Sequence, residues 1–184
     1  FVVGIDPGLS RCGYGAVVRE RTGLRAVAAG VIATPADEDL PARLAALSAE
    51  LRALFAELRP DAVAVERVLF QANARTAMGV GQASGLALAA AAESGAAVTQ
   101  YSPNEVKLAV VGYGSASKVQ VQTMVQAILH LTRRPEPPDA ADALALAICH
   151  LGGAGLASRV RQVNEKANEK VGVAAQGASQ GGTR

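Results

Sequence analysis

Four carboxylates in this 184-residue chain stand where a carboxylate is costly to place. Asp6 ends the run Phe1-Val2-Val3-Gly4-Ile5, and Glu66 ends Ala62-Val63-Ala64-Val65. Asp139 and Asp142 lie three apart at the head of an apolar run reaching Ile148. Desolvating a carboxylate is unfavourable unless it is paired or binds a metal. If the four converge, two of them about 4 Å apart repel by roughly 4 kcal/mol at an effective dielectric of 20. Divalent cations would cancel that repulsion, and oxygen donors with no His or Cys nearby point to Mg²⁺ or Mn²⁺. Two such ions roughly 3.5–4 Å apart suit an in-line phosphoryl displacement, where one oxygen attacks and another leaves. The residue types thus suggest a metal-dependent phosphodiesterase. Plain structural readings compete: Asp6 accepting from the turn backbone, Glu66 pairing with Arg67, and Asp139 capping a helix whose dipole favours Asp142.

Convergence depends on the elements that carry these acids. Residues 1–6 read as a strand buried on both faces, turned by Pro7-Gly8 into a second strand from Gly15, with a third over 24–33. A helix from Asp39 (as cap) to Arg59-Pro60 carries Leu40, Leu44, Leu47, Leu51, Leu54 and Leu58 on one face, with Pro41 harmless in its first turn. Strand, helix and strand imply a crossover, so residues 61–66 should run parallel to the first strand. Asp6 and Glu66 would then end side by side, at the edge where open α/β sheets bind ligands. A helix to about Ser94 follows, with Gly79, Gly81 and Gly85 suited to close approach by the sheet or by a helix of a second subunit. A fifth strand is expected over 97–101, and Ser102 with Glu105 forms a capping-box pattern. After the link 111–115 comes a helix with Val121, Met124, Val125, Ile128 and Leu129 on one face. The helix holding Asp139 and Asp142 should be buried. The expected class is α/β: a five-stranded mixed sheet with helices on both faces.

Composition sets wider limits. Half the residues are apolar and aromatics are scarce, which suits layers packed from small side chains. No run is long and charge-free enough to span a bilayer, and no signal peptide is visible. Cys12 and Cys149 follow no metal or redox spacing and read as reduced, buried thiols of a cytoplasmic protein. Net charge is +2, but five basic residues fall after position 157 against Glu165 and Glu169, leaving 1–157 at −1. A body near neutrality does not by itself announce a nucleic-acid binder. Residues 1–157 are expected to form one domain. In the tail 158–184 a short helix over 158–171 is expected, then a Gly-, Ala-, Gln- and Ser-rich stretch that cannot fold alone.

Motifs in register along the chain sharpen this. They are Gly-Ile-Asp-Pro-Gly at 4–8, Gly-Tyr-Gly at 13–15, Val-Glu at 65–66 and Gly-Gln-Ala-Ser-Gly at 81–85. Further on come Lys107, Val-Val-Gly-Tyr-Gly-Ser-Ala at 110–116, Lys-Val-Gln-Val-Gln at 118–122 and Asp-Ala-Ala-Asp-Ala at 139–143. From the first strand to about His150 the chain resembles the RuvC-type Holliday-junction resolvases. The resemblance implies an RNase H-like fold, a homodimer, and paired symmetric nicking of four-way DNA junctions in recombination and repair. It implies Asp6, Glu66, Asp139 and Asp142 as catalytic acids holding two Mg²⁺ ions per subunit, with Mn²⁺ as an alternative. The RuvA and RuvB branch-migration complex is the implied partner.

Lys107 and Lys118 match basic residues the family uses at the junction. A cation in a helix's first turn is disfavoured by the dipole, so a phosphate partner would explain Lys118. Arg75 is a further candidate for DNA phosphate, with Arg133 and Arg134 weaker ones. The family places an aromatic after the glutamate to stack on junction bases; here Phe70 is the expected wedge and Leu69 the alternative. His130 and His150 read as helix-end residues. Two rival readings remain at this level: a junction binder whose acids are structural, and an actin-like ATPase fragment built on Asp6-x-Gly8.

Overall fold

The structure, a computed structural model, describes residues 1–68 and 74–153, with backbone alone over 74–76. It opens on a meander: β1 (Val2–Asp6), β2 (Arg11–Glu20) and β3 (Gly23–Ala33). Helix α1 (Leu40–Leu58) leads to β4 (Ala62–Glu66), and α2 (Ala74–Glu93) to β5 (Ala97–Tyr101). Helices α3 (Pro103–Val111) and α4 (Lys118–Ile128) follow, and α5 covers 138–153. The sheet order is β3-β2-β1-β4-β5, antiparallel through the meander and parallel from β1 to β4 to β5. This is the expected five-stranded mixed sheet. A compact unit spans Phe1–Leu151.

Alternation along each strand divides the core. Val3, Ile5, Val63 and Val65 pack against Leu47, Leu51 and Phe55 of α1 and Ala83, Ala87, Ala90 and Ala91 of α2. Val2, Ala62 and Ala64 face Val106, Val110, Val121, Val125 and the apolar side of α5. Helices therefore cover both faces, and Asp6 and Glu66 belong by parity to the α5 side.

Several local expectations need correction. Asp39 holds the N-cap position of α1, but its side chain makes no capping hydrogen bond. The deepest residues of α1 are Leu47, Leu51 and Phe55, while Leu40 is exposed; steps of four select this face, and the leucine spacing alone leaves Phe55 out. Gly81 and Gly85 do not meet the sheet. A side chain at either would find open space, and α2 rests on the sheet through its alanines. The capping box at Ser102 and Glu105 is formed, and Ser117 with Gln120 makes a second one ahead of Lys118. The tail 158–184 lies outside the described residues, as do Leu69 and Phe70.

Candidate active site

Parallel pairing runs from Val2 beside Ala62 to Ile5 beside Val65, leaving Asp6 and Glu66 as the next residue of each strand. On its other side Asp6 pairs with Gly13 of β2. Gly13 has no side chain, and neither do Gly4 and Gly15 on the same face. A methyl group at any of the three would collide with the backbone of α5, at Asp139, Ala143 or Leu144 respectively. Glycine thus lets the helix lie directly on the sheet main chain, with its acidic first turn over the strand ends.

The four carboxylates feel one another there. Burial, then the charge of Glu66, then that of Asp142 push Asp6 up from the usual carboxylate range to about 7, with Asp139 adding to the effect. Burial also raises Glu66, opposed by a hydrogen bond with Asp6. Two acids in such contact hold one proton between them. Asp139 and Asp142 are each drawn to a cation. Asp139 Oδ2 accepts from Arg11 Nε at 3.0 Å and from Nη2 at 2.9 Å, and Lys118 Nζ lies 2.6 Å from Asp142 Oδ2. The Asp142 hydrogen bond raises the ammonium pKa and holds Lys118 charged. As they stand, no three acid, imidazole or thiol groups among the described residues are close enough to share an ion.

A pocket of about 240 Å³ beside the acids is lined by Glu66, Asp142, Lys107, Lys118 and apolar residues of α3, α4 and α5. Both predicted lysines therefore reach the acidic edge, and the first-turn position of Lys118 is balanced by a carboxylate. Arg133 and Arg134 are exposed on the loop before α5, beside a separate groove against β3. Arg75 is described by its backbone alone. Sequence reasoning missed Arg11. The available signal was its place at the start of β2, on the edge where Asp6 ends. His130 terminates α4 at φ 51°. His150 is half-buried on α5 with Nδ1 3.1 Å from the Tyr101 hydroxyl, and burial lowers its pKa. Cys12 and Cys149 are buried and unpaired, with burial pushing their thiols up to about 12 and about 11.

The donor set fits a divalent cation in kind. It is all hard oxygen, and buried, mutually repelling acids are what such an ion neutralises. In this arrangement an ion reaching Asp139 and Asp142 competes with Arg11 and Lys118.

The chain is similar to known proteins over most of its length. The family model described as crossover junction endodeoxyribonuclease RuvC matches residues 2–150. The crossover junction endodeoxyribonuclease RuvC of Syntrophomonas wolfei is 48% identical over 169 residues, covering 92% of this chain and 98% of that protein. Its counterpart in Salinispora arenicola is 51% identical over 168 residues, covering 90% and 95%. Thermus thermophilus RuvC, solved in complex with a Holliday junction substrate, superposes with a TM-score of 0.79 at 38% identity, covering 85% of this chain and 95% of that one.

Proposed function

The chain belongs to the RuvC family of crossover junction endodeoxyribonucleases, and from that premise we propose that it resolves Holliday junctions by paired symmetric nicks at Asp6, Glu66, Asp139 and Asp142. The RNase H-like fold goes with this membership; the actin-like reading has no support left. The observation that carries the proposal is the shared edge: acids from two parallel strands and one helix, Asp6 raised to about 7 by burial and the other three.

Asp6 and Glu66 are placed by strand pairing, and Asp139 and Asp142 by the glycine seat of α5, so the fold itself brings the four acids to one edge. Two Mg²⁺ ions per subunit, or Mn²⁺, held by these four would neutralise the phosphodiester and lower the pKa of an attacking water. Lys118 and Lys107 line the same pocket and bring positive charge to the strand entering it. Phe70, or Leu69 in its place, is the wedge that stacks on opened junction bases, and Arg75 supports the backbone nearby.

The working form is a homodimer presenting two such edges to one junction, acting with the RuvA and RuvB complex. The exposed α2 face of Met78, Gly81 and Gly85 supports a close helix contact between subunits. Residues 1–157 form the nuclease domain, with 158–184 as a tail. Two buried, unpaired cysteines accord with the reducing cytoplasm, and no described helix is long and apolar enough to cross a membrane.

The direct test is a labelled synthetic four-way junction incubated with and without Mg²⁺. Nicked duplex released only with the ion is the expected result. Gel-shifted junction with no nicks under any divalent ion would instead make the protein a binder.

A further inference from the structure

We infer that Arg11 is a DNA-positioning residue, gripping a backbone phosphate of the cleaved strand on the flank of the acids opposite Lys107 and Lys118. The inference rests on the metal-site reading above and extends it to a residue outside the four acids and the two lysines. Strand order gives the flank. Arg11 starts β2 on one side of β1, whereas the lysine pocket lies toward β4. Its guanidinium touches Asp139 through Nε and Nη2, both on Oδ2, and the side chain is 52% exposed. Among the described residues Nη1 has no partner, so donors remain for a second anion.

The backbone that presents Arg11 is held from several directions. Thr34, itself buried, donates its hydroxyl to Leu9 O at 2.6 Å and its amide to Ser10 O at 3.3 Å. Arg43 Nη2 donates to Ser10 Oγ at 2.6 Å. Gly8 packs against the Arg11 carbonyl so closely that a side chain there would clash. Such a turn keeps the guanidinium at the edge rather than leaving it to sample solvent. An ion and a guanidinium compete for the same Asp139 oxygen. An ion held by Asp139 would loosen Arg11 from that carboxylate and leave its planar guanidinium free for a phosphate, a geometry it suits.

The test is junction affinity against salt, measured with Ca²⁺, whose irregular coordination holds the acids together, for wild type, Arg11→Gln and Arg11→Lys. Losing one phosphate contact makes the slope of log K on log salt shallower by about 0.9, so over a fourfold rise in salt the wild type loses about 3.5-fold more affinity than Arg11→Gln. Arg11→Lys, which keeps the charge but not the paired donors to Asp139, restores the slope. A wild-type slope in Arg11→Gln, or a slope in Arg11→Lys as shallow as the Gln variant's, overturns the assignment. Failure of the underlying site has a different signature: Asp139→Asn nicking at the wild-type rate.

Discussion

Lys118 Nζ stands 2.6 Å from Asp142 Oδ2, so the first residue of α4 and an acid near the start of α5 share an ion pair at the mouth of the pocket that Glu66 also lines. Each partner compensates something local. The ammonium offsets carboxylate repulsion, and the carboxylate tolerates a cation at a helix N-terminus.

Lys118→Met should therefore damage catalysis more than folding. Single-turnover nicking of a saturated junction should fall by about 10²-fold, the usual cost of removing one preorganised electrostatic group. The melting midpoint should move little, because the side chain is more than half exposed. Nicking at the wild-type rate would make Lys118 a surface charge with no part in the chemistry.

Asp6→Asn should abolish nicking while the junction still binds. It should also stabilise the protein in EDTA at alkaline pH, since it removes one of four repelling acids. The gain should be a few degrees, at about 2–4 °C per kcal/mol for a chain of this size. The linkage has a definite sign. The native state keeps a proton on Asp6 up to about 7, whereas the unfolded chain releases it near the ordinary aspartate value of 3.8. The native state binds more protons in that window, so this group's contribution to stability falls as pH rises through it. Wild-type minus Asp6→Asn melting midpoints across pH isolate the effect. Millimolar Mg²⁺ should flatten the difference, and a difference already flat in EDTA would count against a buried acid cluster.

Gly4→Ala should be far more harmful than its size suggests. The added methyl meets the Ala143 carbonyl of α5, and overpacking of this kind costs about 1–3 kcal/mol. Nicking should fall even at temperatures where the variant is fully folded, since α5 carries two of the acids. A variant with wild-type activity and melting would show that the helix has room to move.

Gly85→Leu tests the subunit contact. A methyl group there meets nothing among the described residues, so the folded monomer should tolerate a side chain, and removing a helix glycine favours it by about 1 kcal/mol. Light scattering should nevertheless show loss of the dimer. A dimer of unchanged mass and affinity would move the interface elsewhere.

Most of the fold could be read from the sequence because β1 and β4 are short and apolar, and because the helices follow apolar periods. The parallel placement of β1 and β4 followed from a strand-helix-strand order, and it set Asp6 beside Glu66. Phe55 escaped a count based on leucine alone, because burial follows position on the face rather than residue type. Of the two contacts open to the glycines of α2, the sheet is not the one that Gly81 and Gly85 make. In sequence, a glycine facing a neighbouring backbone and one facing solvent look alike. Those that bring two main chains together are Gly4, Gly13 and Gly15 on the strands. Arg11 was missed for a related reason: an arginine after a turn has no periodicity to mark it, and only the paired register puts it beside an acid 128 positions away.

The seat of α5 on bare strand backbone has one more consequence. Most helix-to-sheet spacings are set by interlocking aliphatic groups and drift when one is exchanged for another. Here main chain rests on main chain, so the gap has a hard stop, and the two halves of the acidic edge are gauged by covalent geometry. Sequence drift in the surrounding hydrophobic layers can then proceed widely without changing the reach of the cutting edge.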